Sequence, residues 1–181
     1  DDIVIGKYEI AAPVAGVAPQ YLQVWINDNG NYIDKTSVWL PNGFNKPVIA
    51  IWLADIDSDG KKDLAVNTAW DGVYVYKNNG SAFVDMGFPR PEYIYFMGLS
   101  IWATAGKVVV GNYDFEGQVK VYTYTAGVNG AIGAWDLGQE PKDADGKPFI
   151  TYAPYDIKGD GDQAAVANIY GGWWGCKNAV I

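Results

Sequence analysis

Histidine is absent from this sequence of 181 residues, and cysteine occurs once, at Cys176. The absence of histidine excludes Ser-His-Asp and Cys-His triads, histidine-ligated zinc or haem, and a histidine general base. A single cysteine excludes an intrachain disulfide and a four-cysteine metal centre. With these chemistries excluded, the sequence favours a role other than catalysis.

Positive charge and long apolar runs are also scarce. The chain has 13 basic and 21 acidic residues, a net charge of −8, and 49% apolar residues. An acidic chain of this kind disfavours nucleic acids and anionic membranes as partners, while its apolar content is sufficient for a packed core. No run approaches the roughly 18 apolar residues that cross a bilayer, and residues 1–6 have no secretory-signal pattern. We therefore expect no membrane insertion in this chain.

Short runs of β-branched and aromatic residues, separated by Gly, Asn, Asp and Pro, predict an all-β protein. The candidate strands are residues 3–8, 21–26, 48–54, 64–67, 73–77, 94–102, 108–112, 119–124, 149–155 and 164–168. Clusters such as residues 27–30 and 78–80 supply the left-handed positions that tight β-turns require. The 22 glycines and 9 prolines leave little room for long helices.

One apolar sequence motif occurs four times, at residues 2–8, 63–67, 107–113 and 164–170. A second run follows each copy, at residues 22–27, 73–78, 119–124 and, in shortened form, 171–178. A constant pair of strands with loops of variable length predicts a single domain of four repeats, at about 1–47, 48–92, 93–147 and 148–181. The alternative is a β-sandwich whose strands happen to look alike.

Residues 55–63, Asp-Ile-Asp-Ser-Asp-Gly-Lys-Lys-Asp, carry a metal-binding pattern. Carboxylates at loop positions 1, 3 and 5 can surround one cation, with a glycine at position 6 for the sharp turn. The predicted ligands are Asp55, Asp57, Asp59, the carbonyl of Lys61 and Asp63. An all-oxygen set on a flexible loop favours Ca²⁺ over zinc, copper or Mg²⁺. A solvated acidic turn without a metal is the alternative.

The loop is not an EF-hand. An EF-hand requires a glutamate at position 12 and flanking helices. Position 12 here is Val66, and both flanks have the pattern of strands.

The corresponding loops of the other repeats have lost ligands. A second metal loop would use Asp156, Asp160 and Asp162, but Lys158 stands at its third position and its ammonium could replace the cation. Residues 103–107 have no carboxylate, and Asp2 would be position 9 of a loop that begins before the chain. We therefore expect one strong site and a chain that is a piece of a longer protein.

The segment 48–86 resembles the FG-GAP/VCBS repeat: a strand, D-x-D-x-D-G-x-x-D-L, a strand, then V-x-V-Y-x-N-N-G with a following Phe83. This resemblance implies a calcium-loop β-propeller, similar to integrin α-chain heads, some lectins and some polysaccharide lyases. It implies four-stranded antiparallel blades around an axis, with Ca²⁺ in the turn between the first two strands of a blade. Four copies, the first and last incomplete, predict three to four blades: a fragment, a small ring, or a subunit completed by another copy.

Four aromatic residues beside Gly or Asp in predicted loops are candidates for ligand contact, namely Trp70, Tyr170, Trp173 and Trp174. Such rings can stack on sugar faces or bind a protein partner. Packing between blades is the alternative for the same residues.

The sequence leads to three hypotheses of function. The first is an extracellular or cell-surface adhesion module that binds a protein or glycan, because calcium loops of modest affinity suit external calcium concentrations. The second is a structural subunit of a surface layer or filament that assembles by edge pairing. The third is a polysaccharide-binding lectin or a propeller polysaccharide lyase. Fold alone does not separate them.

Overall fold

The computed structural model describes residues 1–8, 20–68, 71–89, 100–111, 119–128, 131–138, 149–155, 164–169 and 177–180. These residues form fourteen strands and one short helix. The prediction of an all-β protein is confirmed. Among the described residues, no helix has the length and apolarity needed to cross a membrane.

The strands form four antiparallel sheets, which we number along the chain. Sheet 1 contains β1 (Ile3–Gly6), β2 (Leu22–Asp28) and β3 (Asn31–Asp34), and sheet 2 contains β4 (Val48–Ala54), β5 (Asp63–Thr68), β6 (Val73–Asn78) and β7 (Phe83–Asp85). Sheet 3 contains β8 (Ser100–Thr104), β9 (Lys107–Gly111), β10 (Val119–Thr125) and β11 (Ala134–Leu137). Sheet 4 contains β12 (Phe149–Tyr155), β13 (Ala164–Ile169) and β14 (Lys177–Val180). Within each sheet, strands that follow each other in the chain are paired side by side, which is the pattern of a meander.

The sheets follow one another in space in the order of the chain. Strand β1 contacts β4, β4 contacts β8, and β8 contacts β12. The first strand of sheets 2, 3 and 4 therefore lies at the junction with its neighbour. Each sheet falls within one of the four sequence ranges 1–47, 48–92, 93–147 and 148–181.

Sheet 2 is apolar on both faces because it lies between two other sheets. Its strand β5 is buried along its whole length, and its side chains alternate between two cores. Leu64 and Val66 belong to the core shared with sheet 1, whereas Ala65 belongs to the core shared with sheet 3. Strand β6 alternates in the same way, with Tyr74 on one side and Val75 on the other.

Several predicted strand boundaries were wrong, and four strands were missed. The predicted strand 3–8 ends at Gly6, and the predicted strand 94–102 continues to Thr104. The missed strands are the last of each sheet, β3, β7, β11 and β14. Strand β3 is exposed at all four positions, so it lacks the alternation of apolar and polar residues that identifies a half-buried strand.

The one described helix, α1 (Thr36–Trp39), lies in the connection from sheet 1 to sheet 2. Asp34 accepts a hydrogen bond from the backbone N–H of Thr36 at 2.8 Å just before it. The Thr36 hydroxyl in turn accepts the N–H of Val24 at 3.0 Å, which attaches the helix to β2. Trp39, from its last turn, packs against Phe83.

Candidate metal centre

The acidic loop 55–63 connects β4 to β5 at one end of sheet 2. Both strands are apolar runs that end at the loop, and the loop turns through left-handed backbone at Ser58 (φ 63°) and Gly60 (φ 87°). A side chain at Gly60 would be strained by this φ although nothing lies within 4 Å of its Cβ position. The glycine at position 6 is therefore needed for the turn itself.

Ile56 anchors the loop to the protein interior. Its side chain is 1% exposed and belongs to the core between sheets 2 and 3. Its carbonyl accepts a hydrogen bond of 2.7 Å from the N–H of Gly106, in the turn between β8 and β9. The acidic loop is thus connected to sheet 3 as well as to its own sheet.

The loop carboxylates accept hydrogen bonds from the loop's own backbone. Asp55 accepts the N–H groups of Asp59 and Gly60, at 3.0 and 2.9 Å. Asp57 accepts the N–H of Asp59 at 3.3 Å. These contacts turn the side chains of positions 1 and 3 toward the inside of the loop.

Asp63 is fully buried and connects three parts of the site. One of its oxygens accepts the N–H groups of Ile56 and Asp57, at 2.9 and 3.3 Å, and the other accepts the N–H of Asn78 at 2.8 Å. Burial raises the pKa of the Asp63 carboxyl above its usual value, and these hydrogen bonds oppose the rise. Asp63 thereby joins the loop to the end of β6.

Three of the predicted ligands lie together. One carboxylate oxygen from each of Asp55, Asp57 and Asp63 falls within 4.8 Å of the others, a grouping that could hold a metal ion. All the donors are hard oxygen atoms, which suits a hard cation. Asp59, the fourth predicted carboxylate, is not a member of this group, and coordination by the Lys61 carbonyl stays a prediction.

Asp59 instead forms ion pairs with two lysines. Its Oδ2 lies 3.1 Å from Lys61 Nζ and 3.0 Å from Lys77 Nζ. Burial raises the pKa of Asp59, but the hydrogen bonds from Lys77 and Lys61 outweigh it and lower the pKa to about 2. Asp59 is therefore a charge partner of lysines in this structure.

Lys77, on β6, was not predicted to belong to the site. Its ammonium group donates a hydrogen bond to Asp57 and forms a second ion pair with Asp59. The bond to Asp57 raises the pKa of Lys77 above its usual value, so this group carries a full positive charge. Sequence reasoning missed it because Lys77 is 20 residues from Asp57, and only the pairing of β5 with β6 brings the two together.

A cavity of about 280 Å³ borders the loop on the side of sheet 3. Its lining includes Trp52 and Leu53 from β4, Asp55 and Lys62 from the loop, and Thr104 from β8. Asp55 therefore belongs both to the lining of this cavity and to the three-carboxylate group.

The remaining predicted site residues lie outside the described part of the chain. These are the second loop, Asp156, Asp160 and Asp162, and the candidate contact aromatics Trp70, Tyr170, Trp173 and Trp174. They stay predictions. Comparisons with protein-family models, curated proteins and solved structures found no match for this chain.

Proposed function

We propose that this chain is a calcium-binding, propeller-type repeat module that acts outside the cell, where it binds a protein or glycan partner. The grouping of Asp55, Asp57 and Asp63 carries the calcium part of this proposal. Three carboxylates in one small volume repel one another, and a divalent cation removes that repulsion. The resemblance of residues 48–86 to the FG-GAP/VCBS repeat supports the same reading.

Calcium fits this donor set better than other biological cations. Ca²⁺ accepts six to eight oxygen ligands in flexible geometry, whereas Mg²⁺ requires a near-ideal octahedron and is dehydrated reluctantly. Asp55, Asp57 and Asp63 would hold the ion, and Ile56 would transmit its effect to the adjoining sheet through the contact with Gly106. In this role the ion would fix the loop and the junction between sheets 2 and 3.

The order of the sheets supports the propeller. Propeller blades are four-stranded antiparallel meanders whose first strands lie nearest the axis. Sheets 2 and 3 have four strands each, and contacts between first strands run from β4 to β8 and from β8 to β12.

Calorimetric titration of the chain with CaCl₂ and with MgCl₂ tests the metal proposal. We expect Ca²⁺ to bind with a Kd of about 10⁻⁴–10⁻³ M, the range typical of extracellular modules, and Mg²⁺ to bind more weakly. Asp57→Asn should weaken calcium binding at least tenfold. Asp28→Asn, at the exposed end of β2, is the matched control and should leave binding unchanged. An absence of calcium binding by the wild-type chain would contradict the proposal.

The partner is tested separately, on arrays of glycans and of extracellular proteins. We expect the labelled chain to be retained on one of the two arrays in calcium and released by a chelator. Equal retention in calcium and in chelator would show that binding of the partner does not depend on calcium. A failure to bind either array would contradict the adhesion role but would not contradict the proposed metal site.

A further inference from the structure

The turn between β6 and β7 carries the only N-linked glycosylation pattern in the sequence. Residues 79–81 read Asn-Gly-Ser, and no other asparagine of the chain has serine or threonine two positions after it. Asn-x-Ser/Thr, with any residue except proline in the middle, is the acceptor pattern for N-linked glycans on surface loops. A sugar chain on Asn79 therefore requires that this turn lie at the surface and that its side-chain amide be available.

The turn lies at the surface and is closed by a hydrogen bond. Residues 79–81 are all exposed. Gly80 has left-handed backbone (φ 93°), and among the described residues the side chain of Lys61 alone comes within 4 Å of its Cβ position. The N–H of Asn79 donates a hydrogen bond of 3.1 Å to the carbonyl of Ala82. The turn therefore has space for a bulky group that projects into solvent.

The side chain of Asn79 uses its oxygen for hydrogen bonds and leaves its nitrogen available. Oδ1 accepts the N–H of Ser81 at 2.9 Å, the hydroxyl of Ser81 at 3.0 Å and the N–H of Ala82 at 2.8 Å. Two backbone N–H donors on one atom identify that atom as the oxygen of the amide. Within the described part of the chain, Nδ2 of Asn79 donates no hydrogen bond. Because Nδ2 is the atom that receives an N-linked glycan, the turn leaves the acceptor atom without a competing contact.

Ser81 shows why the third residue of the pattern matters in this turn. Its hydroxyl and its N–H both reach the carbonyl oxygen of the Asn79 amide. Hydrogen bonds to a carbonyl oxygen polarise the amide and draw electron density from its nitrogen, so a proton on that nitrogen is easier to remove. The turn thus orients and polarises the amide that would react.

The corresponding turn of sheet 1, between β2 and β3, lacks both features. Asn29 is exposed and precedes a glycine, as Asn79 does. Its Nδ2 donates a hydrogen bond of 2.9 Å to Oδ1 of Asp28, and Asn31 stands where the pattern requires a hydroxyl. An exposed Asn-Gly turn is therefore not sufficient, and the combination of a free Nδ2 with a hydroxyl two residues later distinguishes Asn79.

We propose that Asn79 is N-glycosylated at Nδ2. The donor is an oligosaccharide linked through pyrophosphate to a membrane lipid, and the catalyst is a glycosyltransferase that acts outside the cytoplasm. The bond from C1 of the first sugar to the pyrophosphate oxygen breaks, and a bond from C1 to Nδ2 forms. The lipid pyrophosphate leaves, and the Nδ2 proton passes to a base of the transferase. Because this reaction occurs outside the cytoplasm, the inference rests on the proposed extracellular location of the chain.

The glycan would stand beside the acidic loop without using its carboxylates. Asn78 donates its N–H to Asp63 at 2.8 Å, and the Cβ position of Gly80 lies 3.5 Å from Cε of Lys61. The hydrogen bonds of the Asn79 side chain stay within its own turn. Calcium titration of an unglycosylated chain, made in a bacterial cytoplasm, therefore tests the proposed function without testing this site.

Secretion of the full chain from a eukaryotic host, behind a cleavable signal, allows the proposal to be tested by intact mass and glycopeptide mapping. We expect the wild-type chain to carry one glycan, on the peptide that contains Asn79, and to lose it on treatment with a peptide-N-glycanase. Asn79→Gln and Ser81→Ala should each abolish the modification, although Ser81→Ala keeps the acceptor side chain. Ser81→Thr should retain the glycan because it keeps the hydroxyl. Asn31→Gln, at another exposed asparagine, is the matched control and should be glycosylated like the wild type.

The chain isolated from its natural source is the second sample, and the same peptide should carry a glycan there. An unmodified Asn79 in either sample would overturn the proposal, as would a glycan that persists in Ser81→Ala or that lies on another residue. Conversion of Asn79 to aspartate with no sugar attached, the deamidation that Asn-Gly sequences undergo, would also overturn it. An unmodified Asn79 in a chain that binds calcium would contradict the glycosylation site alone and would leave the proposed metal site intact.

Discussion

Lys77 places an ammonium group on the carboxylates around which a cation is proposed to bind. It contacts Asp57 and Asp59, and it reaches them from β6 rather than from the loop. Because this ammonium group belongs to the protein, it supplies one positive charge without the entropic cost of binding a free ion from solution. A divalent ion supplies two charges and more ligand contacts, so at Asp57 it would compete with the ammonium group of Lys77.

This competition predicts that Lys77→Met tightens calcium binding by about five- to tenfold, because like charges about 4 Å apart repel by roughly 1 kcal/mol or more. Without calcium the same variant should be less stable than the wild type, because the carboxylates lose their counter-charge. Lys62→Met, in the exposed part of the loop, is the control for loss of a lysine. Calorimetry measures the affinity, and thermal unfolding in chelator measures the stability. Equal affinities in Lys77→Met and the wild type would contradict the competition.

Thr36 is a second residue whose role depends on tertiary contacts. It is 6% exposed, and its hydroxyl accepts the N–H of Val24. Thr36→Val keeps the shape but leaves that N–H without its acceptor, which should cost about 1–3 kcal/mol in the free energy of unfolding. Thr36→Ser keeps the hydroxyl and should retain most of the stability. Denaturant unfolding of the two variants separates loss of the hydrogen bond from loss of packing.

The same residue controls a carboxylate that titrates in acid. Hydrogen bonds from the side chain and backbone of Thr36 lower the pKa of Asp34 below its usual 3.8. A lowered pKa stabilises the fold above the unfolded-state value, and this contribution is lost as the pH falls through the folded-state value. Thr36→Val should therefore flatten the loss of stability below about pH 4. An unchanged slope of unfolding free energy against pH would contradict this assignment.

At the level of elements, the accuracy of the sequence-based prediction follows local composition. The predicted strands 48–54 and 149–155 coincide with β4 and β12, and most other predicted strands differ by one or two residues. These strands are rich in β-branched and aromatic residues. The last strand of each sheet was missed, since β3 and β11 are largely exposed and their polar residues are also typical of turns. Pairing with the preceding strand, rather than local composition, makes them strands.

The junction between β1 and β4 depends on a glycine. A methyl group on Gly6 would overlap Cγ1 of Val48, and the N–H of Val48 donates a hydrogen bond of 2.8 Å to the carbonyl of Lys7. Gly6→Ala should therefore destabilise the fold by about 1–3 kcal/mol through overpacking. The double variant Gly6→Ala/Val48→Ala should lose less than the sum of the two single variants, because the smaller side chain makes room for the methyl group. Additive losses of unfolding free energy in denaturant would show that the two residues do not interact sterically.

On the scale of the whole molecule, the described residues form two cores, one on each side of sheet 2. One core joins sheets 1 and 2 and the other joins sheets 2 and 3. In an array of this kind each unit is stabilised mainly by its neighbours. A mutation that weakens one core should therefore destabilise the sheets around that core more than the other sheets. The described residues therefore form a series of local interfaces rather than one central core.

Two matched core variants test this view. Val110→Ala, in sheet 3, and Val24→Ala, in sheet 1, each remove two methyl groups from a nearly fully buried site and should each cost about 2 kcal/mol. Hydrogen exchange should rise mainly in β8–β11 for Val110→Ala and mainly in β1–β3 for Val24→Ala. A uniform rise over all the sheets in both variants would show that the array unfolds as a single unit.

The sequence by itself determined the all-β class, most of the inner strands and the acidic loop, because these depend on residues that are neighbours in the chain. Periodicity and turn chemistry act over a few residues, and the positions of Asp55, Asp57 and Asp63 follow from one nine-residue pattern. Only the tertiary structure decided which charges meet and which faces are covered. The contact of Lys77 with Asp57 needs the pairing of β5 with β6, and the burial of Leu64 and Val66 needs the packing of sheet 1 on sheet 2. Leu64 and Ile3 have the same local sequence pattern, yet Leu64 is 0% exposed and Ile3 is 39% exposed, because Leu64 packs in the core that sheets 1 and 2 share.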